Sequence, residues 1–178
     1  MNHTKNLYGL PIVIITATVI FLALIVLKIL PTWYLLIFNI TFALCMIGWE
    51  MWMTYGIVNG KSVYERSGKE NSSNMILMCL GDALIGVLQI WSVMKIIGPS
   101  AFRQWNWKAF AIIFLIGIVQ NILVTLAIYK QIENKSISWA PMMPFKMNSI
   151  MQIQLPWIIQ PFILYPLVII LIGSNQKL

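Results

Sequence analysis

NMILMCLGDALIGVLQIWSVMKII, residues 74–97, carries one acid and one base in an otherwise uncharged apolar run. A helix needs about 20 such residues to cross the roughly 30 Å of bilayer hydrocarbon, and this run supplies them. Within it Asp82, Gly86 and Gln89 recur at i, i+4 and i+7. That spacing puts them on one face of a helix, a small-and-polar stripe suited to close contact with a neighbouring helix. A carboxylate in such a segment is costly to bury as a charge, so Asp82 is a functional-site candidate by default.

The pattern repeats on either side. Apolar runs at Leu10–Leu30, Trp33–Val58, Ala109–Tyr129 and Trp157–Gly173 bring the candidate spans to five. The last is short, and Pro161 and Pro166 remove backbone donors from it, which predicts a kink. Over the 178 residues, 60% are hydrophobic and 10% charged, with a mean hydropathy of +0.82. A soluble domain is roughly 45–50% apolar and about 25% charged. The expected fold is therefore all-α: a polytopic integral membrane helix bundle of about five transmembrane helices with a kinked last span, one membrane-embedded domain over residues 1–178. The first apolar run is longer than the roughly 7–15 residues of a signal-peptide core and no small-residue cleavage site follows it, so it is expected to be retained. The expected location is integral to a cell membrane of the plasma- or inner-membrane kind.

The net charge of +7 raises nucleic acid as a partner, yet the twelve basic residues stand singly between apolar runs and form no stripe. The expected partners are the lipid bilayer and, in one reading, other membrane subunits, with no nucleic acid. Cys45 and Cys79 lie inside apolar runs without CxxC spacing, and His3, the sole histidine, lies in the N-terminal tail. Neither a metal nor a cofactor is expected from such a set.

Five spans put the N-terminus, the 59–73 loop and the 131–156 loop on one face, side A. About seven Lys and Arg fall there against about five on side B, but Lys95, Arg103 and Lys108 crowd a short acid-free loop. Short loops weigh more in the positive-inside rule, so side A is expected outside. The 131–156 loop is apolar enough to lie at the interface. Its Met151-Gln-Ile-Gln-Leu155 alternation makes an extended lid as consistent with the pattern as an interfacial helix.

The second membrane acid, Glu50, stands in Gly48-Trp-Glu-Met-Trp-Met-Thr-Tyr-Gly56. It lies about eight residues before the expected end of the second span, and Asp82 lies about eight after the start of the third, each roughly 12 Å deep. Consecutive spans usually pack side by side. The two acids are therefore expected to face each other and to share about one proton. Glu50 and Thr54 share a face, Gly117, Asn121 and Thr125 form a second stripe on the fourth span, and Gln160 enters from the fifth at shallow depth. The expected ligand- or proton-binding set is Glu50, Asp82, Thr54, Gln89, Asn121 and Gln160, with no catalytic residue assigned. Against this stands a plainer reading: carboxyls and amides within spans also serve simply to lock helices together.

Three functions are compatible with these residues. The first is a small proton- or cation-binding or transport unit built on the carboxylates. The second is an accessory subunit of a larger membrane complex, with the acids as structural glue. The third is an intramembrane enzyme acting on a lipid-phase substrate, for which the sequence sets no nucleophile or metal group beside the carboxylates.

Overall fold

A computed structural model describes residues 9–50, 57–58, 61–62, 70–133 and 149–173, with only the backbone placed at Glu50. Five helices follow one another up and down. They are α1 (Gly9–Val26), α2 (Trp33–Cys45, continued by a π turn at Met46–Glu50), α3 (Glu70–Ile96), α4 (Trp107–Glu133) and α5 (Ser149–Val168, continued by a π turn at Ile169–Gly173). Three hold segments long and apolar enough to cross a membrane: Met75–Ile96, Trp107–Val124 and Leu155–Ile172. Pro11–Val26 and Trp33–Gly48 are shorter apolar helices.

Local chemistry explains where several helices begin and end. After α1, Ile29 N–H reaches Leu24 C=O at 2.9 Å and Lys28 N–H reaches Ile25 C=O at 3.0 Å. This is the Schellman pattern, and it requires the left-handed φ of 57° seen at Lys28, where glycine is usual. α3 stops at Gly98, whose φ of 92° suits a residue without Cβ, and Pro99 follows to open a 3-10 turn at Pro99–Phe102. Asn106 caps α4: its Oδ1 accepts from the backbone N–H groups of Lys108 at 2.9 Å and Ala109 at 3.2 Å.

α3 is the central helix. It packs against α1, α2 and α4, while α4 packs on α5 and α5 returns to touch α2. Four helices thus form a ring, α2–α3–α4–α5, with α1 outside it against α3. A Phe21–Phe38 ring stack at 5.2 Å also joins α1 to α2. Ile37, Ala83, Ile90, Ile113, Leu164 and Tyr165 are fully buried where the helices meet, whereas Ile12, Val19, Leu115, Leu123 and Phe162 are exposed on the outside. At one end, which is side B, Tyr165 fastens α5 to the α3–α4 connection. Its hydroxyl donates to Ala101 C=O at 2.5 Å and accepts from Asn106 N–H at 3.1 Å.

Three expected boundaries are corrected. Ile57 and Val58 pair antiparallel with Ser62 and Lys61 in a two-residue ladder, so the second span does not run to Val58 as a helix. Helix α4 continues through Gln131 to Glu133, and α5 begins at Ser149. The Met151–Leu155 stretch is therefore helical and not extended: two steps of period two also set Met151 and Leu155 one helical turn apart, so the short alternation could not discriminate. Helix α5 continues through Pro156, Pro161 and Pro166. Each proline deprives the carbonyl four residues earlier of its usual intrahelical donor.

Candidate functional site

The interior of the four-helix ring is polar at one level. Gln89 of α3 and Gln160 of α5 pair amide to amide, with Gln160 Nε2 donating to Gln89 Oε1 at 2.9 Å and Gln89 Nε2 donating to Gln160 Oε1 at 3.2 Å. Gln89 Nε2 also donates to Ile113 C=O of α4 at 2.8 Å. One side chain therefore ties three helices, and both amides are buried. Gly117 makes room for this arrangement: a Cβ there would stand 2.9 Å from Gln89 Nε2 and 3.1 Å from the Trp157 ring. The clasp sits about five turns of α3 from its start and about two from its end. Gln160 is thus deep in the bundle, because α5 begins well before the expected fifth span, and the expectation of shallow entry is corrected.

Toward side A lies Asp82, seven residues or roughly 10 Å before Gln89 on α3. Its described partner is the thiol of Cys45 on α2, which hydrogen-bonds the carboxyl. Asn121, on the α4 face that also carries Ile113 and Gly117, is buried as well. The structure thus gathers Gln89 and Gln160 in direct contact, with Asp82 and Asn121 further along the helices toward side A. Thr54 lies outside the described residues, as do the side chains of Glu50 and Thr125.

The register of α2 on α3 fixes the level of Glu50. Thr41 lies against Gly86, where an added Cβ would come within 2.2 Å of its Oγ1. Cys45 meets Asp82 one turn further on. The helices are antiparallel, so the next turn, the π turn Met46–Glu50, carries the Glu50 backbone to about the level of Leu77. It is then roughly 7 Å nearer side A than Asp82. Equal depth of the two acids, which followed from ending the second span at Val58, does not hold for their backbones.

The described basic side chains stand at the other end of the bundle. Lys28 follows α1, Lys95 occupies the last turn of α3 with its ammonium 5.9 Å from the Trp91 ring centre, and Arg103 and Lys108 flank the start of α4. Lys95 lies thirteen residues from Asp82, about 20 Å along the helix. Among the described residues no three of His, Cys, Asp and Glu come together.

Sequence reading missed Cys45, Thr41 and the Ile113 carbonyl. Thr41 could have been found by asking which residue of the second span answers Gly86. The carbonyl could not, since any turn of α4 offers one. The chain matches no known protein family, no characterised protein and no solved structure, so its function is argued from its own residues.

Proposed function

We propose that the chain is a five-span integral membrane protein that binds a proton or small cation at Asp82, with Glu50 nearer the side-A mouth of the same interior path, and that it serves as a binding or transport unit. The observation that carries this is Asp82 itself. It is a carboxyl inside the most central apolar helix, its described partner is a neutral thiol, and the basic residues whose side chains are described lie at the far end. A carboxylate left unpaired in hydrocarbon costs several kcal/mol, a cost that a bound proton or cation offsets.

The apolar outer surface and the three spanning-length helices support the membrane setting. The amide clasp supports access from side A, because Gln89 and Gln160 fill the interior between Asp82 and side B. Transport through the bundle then requires the clasp to part, whereas binding from side A does not. Asn121 and Thr54 complete the polar set in this reading.

The test is infrared difference spectroscopy of the protein in lipid across a pH titration, with dye-reported proton uptake in sealed vesicles. A protonated-carboxyl band lost in Asp82→Asn, with folding retained, is the expected result. An unchanged band would remove the basis for the proposal.

A further inference from the structure

The side-B end of the bundle is basic and aromatic at once. In the connection from α3 to α4, Arg103 and Lys108 bracket Trp105 and Trp107, and all four side chains are exposed. Lys95 stands exposed in the last turn of α3, and Lys28, also exposed, follows α1, which packs on α3. The acids of the sequence are Glu50, Glu65, Glu70, Asp82 and Glu133, so none falls between Asp82 and Glu133. Of those whose backbone is described, Asp82 comes nearest this rim, and it stands thirteen residues, about 20 Å of helix, from Lys95. Among the described residues, then, no carboxyl neutralises these cations. The indoles between them are held in place. The Trp105 ring centre lies 5.2 Å from Trp107, 5.3 Å from Phe110 and 5.1 Å from Tyr165, and Tyr165 is itself fastened to Ala101 and Asn106. Trp107 is 70% exposed and leads through Phe110 to the exposed ring of Phe162 on the outer wall.

We infer that this rim binds the phosphate headgroup of an anionic phospholipid, with Arg103 and Lys108 on the headgroup and the acyl chains running down the apolar wall beside Trp107. Three observations select that occupant. The first is charge: unneutralised cations on an acid-free rim call for an anion, and a guanidinium offers forked donors that match phosphate oxygens while an ammonium supplies a mobile point charge. The second is depth. The membrane-length segment of α4 starts at Trp107, and tryptophan is enriched at the level of the headgroups, so Arg103 and Lys108 stand at the height of the phosphates. Lys95, its ammonium 5.9 Å from the Trp91 ring centre, adds to the field from the end of α3. The third is continuity. The charges border an exposed apolar wall, so the ligand that satisfies both carries an anion and hydrocarbon on one molecule, which a soluble anion does not.

The inference rests on the membrane setting of the function proposed above and not on its proton or cation site. Asp82→Asn should therefore leave it intact, and resistance to alkaline extraction from membranes tests the setting separately. The experiment places the full-length chain in phosphatidylcholine vesicles and follows, by electron paramagnetic resonance, the motionally restricted fraction of spin-labelled phosphatidylglycerol and of spin-labelled phosphatidylcholine. Preferential restriction of phosphatidylglycerol is expected, falling as salt rises and screens the charges. Arg103→Gln/Lys108→Gln, which changes two exposed side chains, should lower the preference about fivefold, the scale of one basic residue at an anionic surface. Arg103→Lys/Lys108→Arg keeps both charges and should retain most of it. Lys61→Gln/Lys130→Gln removes the same charge from the α2–α3 connection and the far end of α4, and should leave the preference in place. Equal restriction of the two lipids, a preference untouched by Arg103→Gln/Lys108→Gln, or an equal loss in Lys61→Gln/Lys130→Gln would each overturn the inference. Inorganic phosphate that abolishes the preference where chloride of equal ionic strength does not would assign the rim to a soluble anion and overturn it too. A photo-cross-linker at exposed Gln104 that joins a polypeptide in native membranes, and not lipid, would do the same.

Discussion

Replacing Gln160 by Leu should destabilise the bundle by more than the bonds it visibly removes, and replacing Gln89 as well should give much of that loss back. The single change deletes the bonds at 2.9 and 3.2 Å and leaves Gln89 Oε1 buried without a donor. Side-chain bonds between helices in a bilayer average roughly 0.6 kcal/mol and reach about 1.7, so the two lost bonds account for about 1–2 kcal/mol. The orphaned acceptor adds roughly 1–3 kcal/mol, for an expected loss of about 2–5 kcal/mol. Gln89→Leu also deletes the 2.8 Å bond to Ile113 C=O and strands both ends of the Gln160 amide, so it should cost somewhat more. The Gln89→Leu/Gln160→Leu pair leaves no orphaned amide. The Ile113 carbonyl retains its place in the α4 ladder, and two leucines of similar bulk replace the amides. The double variant should fall well short of the sum of the singles, with a coupling energy of at least about 2 kcal/mol. Reversible unfolding of the four proteins in mixed bicelles, followed by circular dichroism, measures this directly. Simple additivity would refute the reasoning, because it would mean that the two amides do not depend on each other for satisfaction.

Two further outcomes follow from the same packing. Gly86→Ala should destabilise by up to about 2 kcal/mol, since the added Cβ would press on Thr41 Oγ1, Cγ2 and Cβ, and overpacking of roughly 1–3 kcal/mol is set against a gain of about 1 in helix propensity. Thr41→Gly in the same chain should relieve the clash, and a Gly86→Ala variant as stable as the parent in the bicelle assay would show that α2 gives way. Lys28→Gly should raise stability by about 0.5 kcal/mol, because it removes roughly 1 kcal/mol of left-handed backbone strain at φ 57° and returns part of it as unfolded-chain entropy. A loss above 1 kcal/mol in thermal unfolding would instead assign the ammonium an anchoring role.

The apolar runs were sufficient to read five helices, because length and the absence of charge mark an element whatever it packs against. They also announced Gln89 as an inward residue, since its stripe with Asp82 and Gly86 has a helical period and all three do meet neighbouring helices. What the runs lack is any internal mark of where a helix stops. Met51 to Val58 is as apolar as the turns before it, so it counted equally well as membrane span, yet Ile57 and Val58 belong to a strand ladder. Period-two alternation failed at Met151–Leu155 for the related reason that five residues are too few to separate two periods.

Those boundary errors propagate differently through the site, and the difference explains which parts were legible. Depth was reckoned by counting from span ends, so extending the second span to Val58 displaced Glu50 relative to Asp82 by about five residues, or roughly 7 Å. A hydrogen bond tolerates a few tenths of an ångström around about 2.9 Å, so no pairing inferred from such a count can be relied on at the level of atoms. The contact that does set the register, Thr41 on Gly86, depends on two unremarkable small residues, and no hydropathy scale ranks it above its neighbours. Gln89 and Gln160 remain within reach of each other because their pairing comes from burial chemistry and not from counting. Each amide inside a ring of apolar helices must find a donor and an acceptor, and few other side chains there can supply both. Buried polar residues in this helix bundle are therefore identified more reliably by what they need than by how deep they lie, and Asp82, whose need is only partly met by a thiol, stands out by that criterion.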